Sequence, residues 1–320
     1  MTFTREHGMS LNCKDLLGLE HLDKKDLQTI LNSVKPFKSL FTRSVKKAPT
    51  LIGKTIVTLF YEPSTRTRTS FEIAAKRLSA DVVNVAIDTS SVVKGESLID
   101  TGKTLEAMKA DYIIIRHSLA GAPDILARNL NASIINAGDG FHEHPTQGLL
   151  DLYTIYEKKK KIEGLKVLLV GDILHSRVAK SNIWALTKMG AKVAVASPPT
   201  LIPANIEDLG VKVYYNLDEA VKKADVVNIL RIQLERQKEN LFPSVHEYIE
   251  LYQLTKERLA MARRDVLIMH PGPMNRGIEI SSDVADSPNA VINEQVTNGI
   301  AVRMAVLYFL SPERKDASSN

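Results

Sequence analysis

The chain has 320 residues, of which 44% are hydrophobic and 25% are charged, close to the averages for a globular protein. At about 150 residues per domain this length predicts two domains, and the composition excludes a collagen-like, coiled-coil or wholly disordered chain. Lys and Arg number 42 against 37 for Asp and Glu, a net charge of +5. So mild an excess suits anionic substrates and argues against a nucleic-acid-binding protein.

The single cysteine, Cys13, excludes an intramolecular disulfide framework and a multi-cysteine zinc site, and it fits a reducing cytosol. Residues 1–10 lack the apolar core of a signal peptide. The densest apolar stretch, 300–310, is far shorter than the ~20 residues that a membrane span requires. We therefore expect a cytoplasmic protein without a membrane segment, ending in a disordered polar tail at 311–320.

In the first half of the chain, β-rich runs alternate with helical patterns. Strands are predicted at 54–60, 81–86, 111–116 and 133–136, and helices at 64–79, 97–110, 123–129 and 145–158. A glycine-rich turn is predicted at residues 137–140, after the fourth strand. The four lysines at 158–161 are typical of a solvated helix end.

A second alternating series follows. Strands are predicted at 166–170, 191–196, 211–215, 226–230 and 266–270, with a helix at 176–189 and further helical stretches between the later strands. The last helix, 293–310, has no strand after it and can pack back on the first domain. We predict an α/β protein of two domains, each a mostly parallel sheet flanked by helices. The domains are placed at 1–148 with helix 293–310, and at 149–292.

The helix after the first strand begins with anion-binding groups. Ser64 is a favourable N-cap residue. Thr65, Arg66, Thr67 and Arg68 add hydroxyl and guanidinium groups to a helix N-terminus, where backbone N–H groups and the helix dipole attract anions. The segment has no glycine, so it is not a glycine-rich nucleotide loop. The alternative is an ordinary capped helix with surface arginines.

Cationic and amide side chains also follow most of the other predicted strands. They are Arg116 and His117 after the third strand, His142, His144 and Gln147 after the fourth, Arg177 after the fifth, Arg231 and Gln233 after the eighth, and His270 with Gly272 and Pro273 after the ninth. Ligands of open α/β sheets bind beyond the carboxyl ends of the strands, so these residues predict a cationic cleft between the two domains.

The predicted cleft lacks an evident Ser-His-Asp set or carboxylate pair, which favours a reaction driven by positioning and charge stabilisation. His142 and His144 can be read as metal ligands, but no clear third ligand stands near them in the sequence. A dinucleotide site is disfavoured because G-x-G-x-x-G is missing after the fifth strand.

Four segments resemble the signature of the carbamoyltransferases, and among them the aspartate carbamoyltransferase catalytic chains. They are STRTR at 64–68, HPTQ at 144–147, RIQ at 231–233 and HPGP at 270–273, in family order within a match from about 51 to 310. The first segment is specific to carbamoyltransferases, and the other three separate members of the family. Ornithine-specific relatives usually carry Cys at the equivalents of Thr146 and Gly272.

The resemblance implies that a carbamoyl group passes from carbamoyl phosphate to the amine of L-aspartate, giving N-carbamoyl-L-aspartate and phosphate in de novo pyrimidine biosynthesis. It implies neither a metal nor a cofactor. The implied phosphate ligands are Ser64, Thr65, Arg66 and Thr67. Arg116 and His144 are implied to contact the carbonyl oxygen. Gln147, with the carbonyls near Gly272 and Pro273, is implied to hold the carbamoyl NH2. Arg177 takes the α-carboxylate of aspartate, and Arg231 with Gln233 takes the side-chain carboxylate.

The resemblance also implies a homotrimer with shared active sites, because Ser90 and Lys94 match residues that a neighbouring subunit contributes. Gly272 and Val178 depart from the enteric pattern towards a bacterial subgroup of enzymes that are often plain trimers. A regulatory chain or a dihydroorotase partner stays open. So do two other functions: a carbamoyltransferase for another amino acid, and a catalytically silent binding or scaffold protein.

Overall fold

The structure is a computed structural model that describes residues 11, 13–85, 95–232 and 244–310. It divides into two units: the first runs to Thr146 and resumes at Gly299, and the second is Gln147–Asn298. Ser90, Lys94, Gln233 and the predicted tail at 311–320 lie outside the described residues. Within the described ranges, no helix has the length and apolar character needed to cross a membrane.

The first unit is built on a parallel sheet. Its described strands are β1 (Thr55–Phe60), β2 (Asp81–Val85), β3 (Tyr112–His117) and β4 (Ser133–Asp139), and its helices are α1 (Lys24–Ser39), α2 (Thr65–Arg77), α3 (Leu98–Ala107) and α4 (Ala122–Asn129). The strands lie in the order β2-β1-β3-β4 and pair in parallel. Residues 112–115 of β3 are all buried, as expected for a parallel strand covered on both faces.

Two features of the first unit differ from the sequence-based prediction. Helix α1 was not predicted, although it buries Leu27, Ile30, Leu31 and Val34 at helical spacing. Strand β4 continues to Asp139, so the prediction of a turn at 137–140 was wrong for its first three residues. Pairing with β3 extends the strand, because beyond a register shift His117 still pairs with Asp139.

The second unit contains a second parallel sheet. Its described strands are β5 (Lys166–Val170), β6 (Lys192–Ala196), β7 (Lys212–Tyr214), β8 (Val226–Ile229) and β9 (Leu267–Met269), in the order β7-β6-β5-β8-β9. Its helices are α6 (Arg177–Lys188), α7 (Leu217–Val221), α8 (Val245–Tyr252), α9 (Lys256–Met261) and α10 (Ser282–Ala285). The chain passes from the first unit to the second within α5 (Pro145–Lys159) and returns within α11 (Ile292–Phe309). The predicted fold class of two helix-flanked parallel sheets is confirmed.

The last turns of α11 pack on the first unit. Tyr112 Oη donates to the carbonyl oxygen of Leu307 over 3.1 Å, and Ser133 Oγ donates to that of Leu310 over 3.1 Å. These bonds satisfy carbonyl groups that a helix end leaves without partners in the helix itself. Arg303 Nη1 donates to Ser70 Oγ in α2 over 2.9 Å. The prediction that the last helix returns to the first domain is confirmed.

Gly171 allows two site segments of the second unit to lie against each other. It follows β5 at φ 122°, and a Cβ atom at this position would stand 2.7 Å from the carbonyl oxygen of Leu230, which follows β8. Only glycine tolerates both that φ and that approach. The segments leading to Arg177 and Arg231 therefore leave the sheet side by side.

The turn from β4 into α5 is held by the buried side chain of Asp139. One carboxylate oxygen accepts from Asn136 Nδ2 over 2.7 Å; the other accepts from the N–H of Gly121 over 2.8 Å and lies 3.1 Å from His142 Nδ1. Burial alone would raise the pKa of Asp139, but the bonds from His142, Gly121 and Asn136 outweigh it and lower the pKa. The same contact raises the pKa of His142 above its ordinary value.

The stability that His142 contributes is expected to depend on pH. Because its folded pKa is raised, the contribution is complete below the ordinary histidine value of about 6.5 and is lost as pH rises through the folded pKa. His142→Gln should therefore lower thermal stability more at pH 5.5 than at pH 8.5, by less than about 1 kcal/mol because the His142 side chain is partly exposed.

His117 is the matched control, since burial lowers its pKa and its Nδ1 accepts from the N–H of Leu119. His117→Gln should show the opposite trend, costing more stability at pH 8.5 than at pH 5.5. Melting temperatures across this pH range measure both effects. Parallel pH curves for the two variants would contradict the assignment.

Candidate active site

In the first unit, the predicted site residues lie at one edge of the sheet. β1, β3 and β4 are parallel neighbours, so the residues that leave their carboxyl ends emerge together. These residues are Ser64, Thr65, Arg66 and Thr67 after β1, Arg116 near the end of β3, and His144 after β4. The sequence predicted this grouping within the unit.

The N-terminus of α2 supplies the anion-binding part of this edge. Ser64 occupies the N-cap position, but its hydroxyl makes no capping hydrogen bond within the described chain, contrary to the role expected for it. Thr67 is buried, whereas Thr65 and Arg66 are exposed. The first N–H groups of the helix have no partner within the helix, so they add to the hydroxyl and guanidinium groups as donors for an anion.

Arg116 is held by groups from two neighbouring segments. Its Nε lies 3.2 Å from Glu62 Oε2, which follows β1, and its Nη1 donates to the carbonyl oxygen of Ala137 in β4 over 3.3 Å. Both side chains of the ion pair are largely shielded from solvent. These contacts fix the direction of the guanidinium group at the sheet edge.

Glu143 anchors the segment that carries His144. Its buried carboxylate accepts from the N–H groups of Leu19 and Glu20, over 2.9 and 3.0 Å. Gly18 permits this approach, because a Cβ there would stand 2.5 Å from Glu143 Oε1. His144 itself is 5% exposed at the start of α5. Sequence reasoning did not identify Glu143, whose partners are more than 120 residues away.

Among the described residues, three side chains could bring metal-ligating atoms together: Glu20, His142 and Glu143, with ligand atoms within 4.8 Å of one another. His144 is not in this group, so the alternative of a His142–His144 metal pair gains no support. Glu143 is engaged by backbone N–H groups and His142 by Asp139. We assign Glu143 and His142 a structural role.

In the second unit, site residues again follow neighbouring strands. Arg177 is the first residue of α6 and is 4% exposed, directly after Ser176, whose hydroxyl caps the helix by accepting from the N–H of Ala179 over 3.1 Å. Arg231 follows β8 and is half-buried. Because β5 and β8 pair in parallel, both guanidinium groups belong to segments at the same edge of the sheet.

The loop after β9 is held by His270. The N–H of Gly272 donates to His270 Nδ1 over 2.8 Å, so the proton sits on Nε2, which lies 3.2 Å from Glu279 Oε1. The N–H of His270 donates to Gln295 Oε1 over 3.0 Å. These bonds hold the loop that contains Gly272 and Pro273.

Gln147, in the first turn of α5, contacts a buried acid that the sequence analysis did not identify. Its Nε2 donates to Asp151 Oδ1 over 2.9 Å, and Asp151 is fully buried. Burial raises the pKa of Asp151 to about 6, although hydrogen bonds from side-chain amides oppose the increase. The available signal was an acid within an otherwise apolar run, Leu149–Leu152, one helical turn after Gln147.

The comparisons with known proteins agree with this geometry. Residues 14–157 match the family described as the aspartate/ornithine carbamoyltransferase carbamoyl-P binding domain, and residues 163–310 match its Asp/Orn binding domain. The aspartate carbamoyltransferase catalytic subunit of Endomicrobium trichonymphae is 88% identical over 98% of this chain and 100% of its own length. That of Moorella thermoacetica is 62% identical over 94% of this chain and 98% of its own length.

Solved structures share the whole fold. The aspartate transcarbamoylase of Trypanosoma cruzi in complex with carbamoyl aspartate and phosphate has a TM-score of 0.85 at 29% identity, covering 93% of this chain and 96% of that one. The ornithine carbamoyltransferase of Pyrococcus furiosus has a TM-score of 0.84 at 32% identity, covering 94% and 98%. Two matched domains that span nearly all of the chain, with relatives of high identity, place this chain in the aspartate/ornithine carbamoyltransferase family.

Proposed function

We propose that the chain transfers the carbamoyl group of carbamoyl phosphate to the amine of L-aspartate, releasing N-carbamoyl-L-aspartate and phosphate for de novo pyrimidine biosynthesis. The observation that carries the proposal is the pair of arginines, Arg177 and Arg231, that follow neighbouring strands of the second unit. Two guanidinium groups match the two carboxylates of aspartate through bidentate hydrogen bonds. The named relatives with 88% and 62% identity support the same substrate.

The first unit binds carbamoyl phosphate in this proposal. Ser64, Thr65, Arg66 and Thr67 hold the phosphate at the N-terminus of α2, where charge and N–H donors favour an oxyanion. The matched family description of residues 14–157 as a carbamoyl-P binding domain supports this assignment.

Arg116 and His144 stabilise the reacting carbonyl group. When the neutral amine attacks the carbonyl carbon, negative charge develops on the oxygen, and donors already fixed in place lower the barrier. The C–N bond forms, the C–O bond to phosphate breaks, and the proton that the amine loses passes to the departing phosphate. Gln147 and the carbonyl groups of Gly272 and Pro273 hold the carbamoyl NH2. No covalent enzyme intermediate is needed.

Selectivity for aspartate over ornithine follows from charge. The overall fold does not separate the two, since structures of both kinds of enzyme match this chain with nearly equal TM-scores. Ornithine would bring its side-chain ammonium to Arg231, where repulsion replaces an ion pair. Initial rates of the purified protein with carbamoyl phosphate and either amino acid test the proposal: aspartate should be carbamoylated, and turnover of ornithine instead would overturn it.

We further propose a cytoplasmic homotrimer in which Ser90 and Lys94 complete the active site of a neighbouring subunit and Gln233 assists Arg231. The relatives are named catalytic subunits, a name that fits proteins with a second kind of subunit. A regulatory chain or a dihydroorotase is therefore the partner class to seek. Size-exclusion chromatography of the native complex from its own cells would reveal it.

Arg231→Ala is expected to remove most of the aspartate affinity while carbamoyl phosphate binding changes little. Loss of a charge-assisted pair in a site of this kind costs roughly 2–5 kcal/mol. Saturation kinetics for each substrate measure the effect. Arg263→Ala is the control, because Arg263 is exposed and pairs with Asp225 at the opposite end of the sheet. Unchanged aspartate kinetics in Arg231→Ala would refute the assignment.

Shared active sites predict complementation between two inactive variants. Lys94→Ala and Arg66→Ala should each be inactive as pure proteins. After subunit exchange, some interfaces of a mixed trimer pair an intact Lys94 with an intact Arg66, so activity should partly return. Mass measurement must show that exchange took place. Exchange without any recovery would place Lys94 in the active site of its own chain.

A further inference from the structure

A single buried carboxylate in the second unit accepts hydrogen bonds from four side-chain amides. Asp151 Oδ1 accepts from Gln147 Nε2 over 2.9 Å and from Gln295 Nε2 over 2.8 Å. Its Oδ2 accepts from Asn182 Nδ2 over 2.8 Å and from Asn228 Nδ2 over 3.2 Å. The donors come from α5, α11, α6 and β8. Four N–H donors around one group require an acceptor that has no hydrogen to give.

Second hydrogen bonds fix the orientation of one amide on each side of the carboxylate. Asn182 Nδ2 also donates to the carbonyl oxygen of Val178 over 3.0 Å. Gln295 Oε1 accepts from the N–H of His270 over 3.0 Å. If the Asn182 amide turned over, its oxygen would face the carbonyl oxygen of Val178. If the Gln295 amide turned over, its NH2 group would face the N–H of His270. Either change would break a hydrogen bond and bring two like groups together. Both oxygens of Asp151 must therefore be acceptors.

The bond to Asp151 decides which end of the Gln147 amide is presented elsewhere. A side-chain amide can turn by 180° at little steric cost, which exchanges its oxygen with its NH2 group. Because Nε2 of Gln147 is engaged by Asp151, Oε1 lies on the other side of the group. An oxygen in that position accepts a hydrogen bond from an NH2 group such as that of a carbamoyl substrate, whereas a turned amide would place its own NH2 there and repel it.

The same oxygen of Asp151 is also connected to the loop after β9 through a chain of hydrogen bonds. Oδ1 binds Gln295, Gln295 binds the N–H of His270, and His270 Nδ1 accepts from the N–H of Gly272. The loop that presents the carbonyl groups of Gly272 and Pro273 is thus connected to Asp151 through fully or largely buried side chains. Gln147 and this loop share one anchor.

We propose that Asp151 is a positioning residue for the substrate's carbamoyl NH2: it aims Gln147 Oε1 and, through Gln295 and His270, the carbonyl groups of the 272–273 loop at that NH2 group. The inference rests on the proposed function, in which these oxygens hold the NH2. It adds the group that selects their orientation. The four amide donors require Asp151 to be ionised, and burial raises its pKa only to about 6 because these hydrogen bonds oppose the increase.

Asp151→Asn tests the proposal, because asparagine keeps the shape and replaces one acceptor oxygen with a donor. Acetyl phosphate is the probe, since it carries a methyl group where carbamoyl phosphate carries NH2. The measured quantity is the ratio of the inhibition constant of acetyl phosphate to the KM of carbamoyl phosphate. In Asp151→Asn this ratio should fall about tenfold, because the bonds to the carbamoyl NH2 are lost, and kcat should fall about 10- to 100-fold.

Asp225→Asn is the matched control. Asp225 accepts from the N–H of Lys166 over 2.9 Å at the amino ends of β5 and β8, the edge opposite the site residues. Asp151→Asn and Asp225→Asn make the same chemical change, since each replaces a carboxylate that is buried or half-buried with an amide. Any general loss of stability should lower the affinities for both phosphates alike and leave their ratio within about twofold of the wild type.

Gln295→Met gives an independent test if Asp151→Asn does not fold. It removes the bonds to Asp151 and to His270 while the Asp151–Gln147 bond stays, so a partial fall of the ratio is expected. Wild-type protein that does not carbamoylate aspartate would overturn the proposed function and the positioning role with it. Active wild type together with folded variants that retain the wild-type ratio would overturn the positioning role alone.

Discussion

Parallel strand pairing is the constraint on which the site depends. Since β1, β3 and β4 in one unit and β5, β8 and β9 in the other all run in the same direction within their sheets, the residues that leave them collect at one edge of each sheet. Cationic and amide groups far apart in sequence become neighbours in this way. Gly171 lets the chains leaving two of these strands approach closely, which a side chain would prevent.

Buried acids hold the segments that carry the candidate site residues. Asp139, Glu143, Asp151 and Glu279 are each fully or almost fully buried, and each accepts hydrogen bonds from backbone or side-chain groups of the segments that carry site residues. A buried carboxylate is costly unless it is hydrogen-bonded, so each one draws several segments into a defined arrangement. The groups assigned to the phosphate, the carboxylates and the developing oxyanion are donors and cations, whereas those assigned to the carbamoyl NH2 are neutral acceptor oxygens.

Fold and specificity are decided at different levels in this family. The chain matches an aspartate enzyme and an ornithine enzyme about equally well over its whole length. In the proposed function, the two substrates are separated by the charge of a few side chains after the strands of the second unit, Arg231 above all. A scaffold that collects strand ends at one edge can change its substrate there, because those residues take little part in the hydrophobic core.

The sequence by itself determined the alternation of strands and helices, the two-unit α/β fold and the motif residues after β1, β3, β4, β5, β8 and β9. These follow from local periodicity and from the general rule that parallel strands present ligands at their carboxyl ends. Only the tertiary structure identified Glu143, Asp151 and Gln295 as anchors and extended β4 to Asp139. Their partners lie as far as 144 residues away in the chain. No local pattern of residues predicts which distant group will form a hydrogen bond with a buried carboxylate.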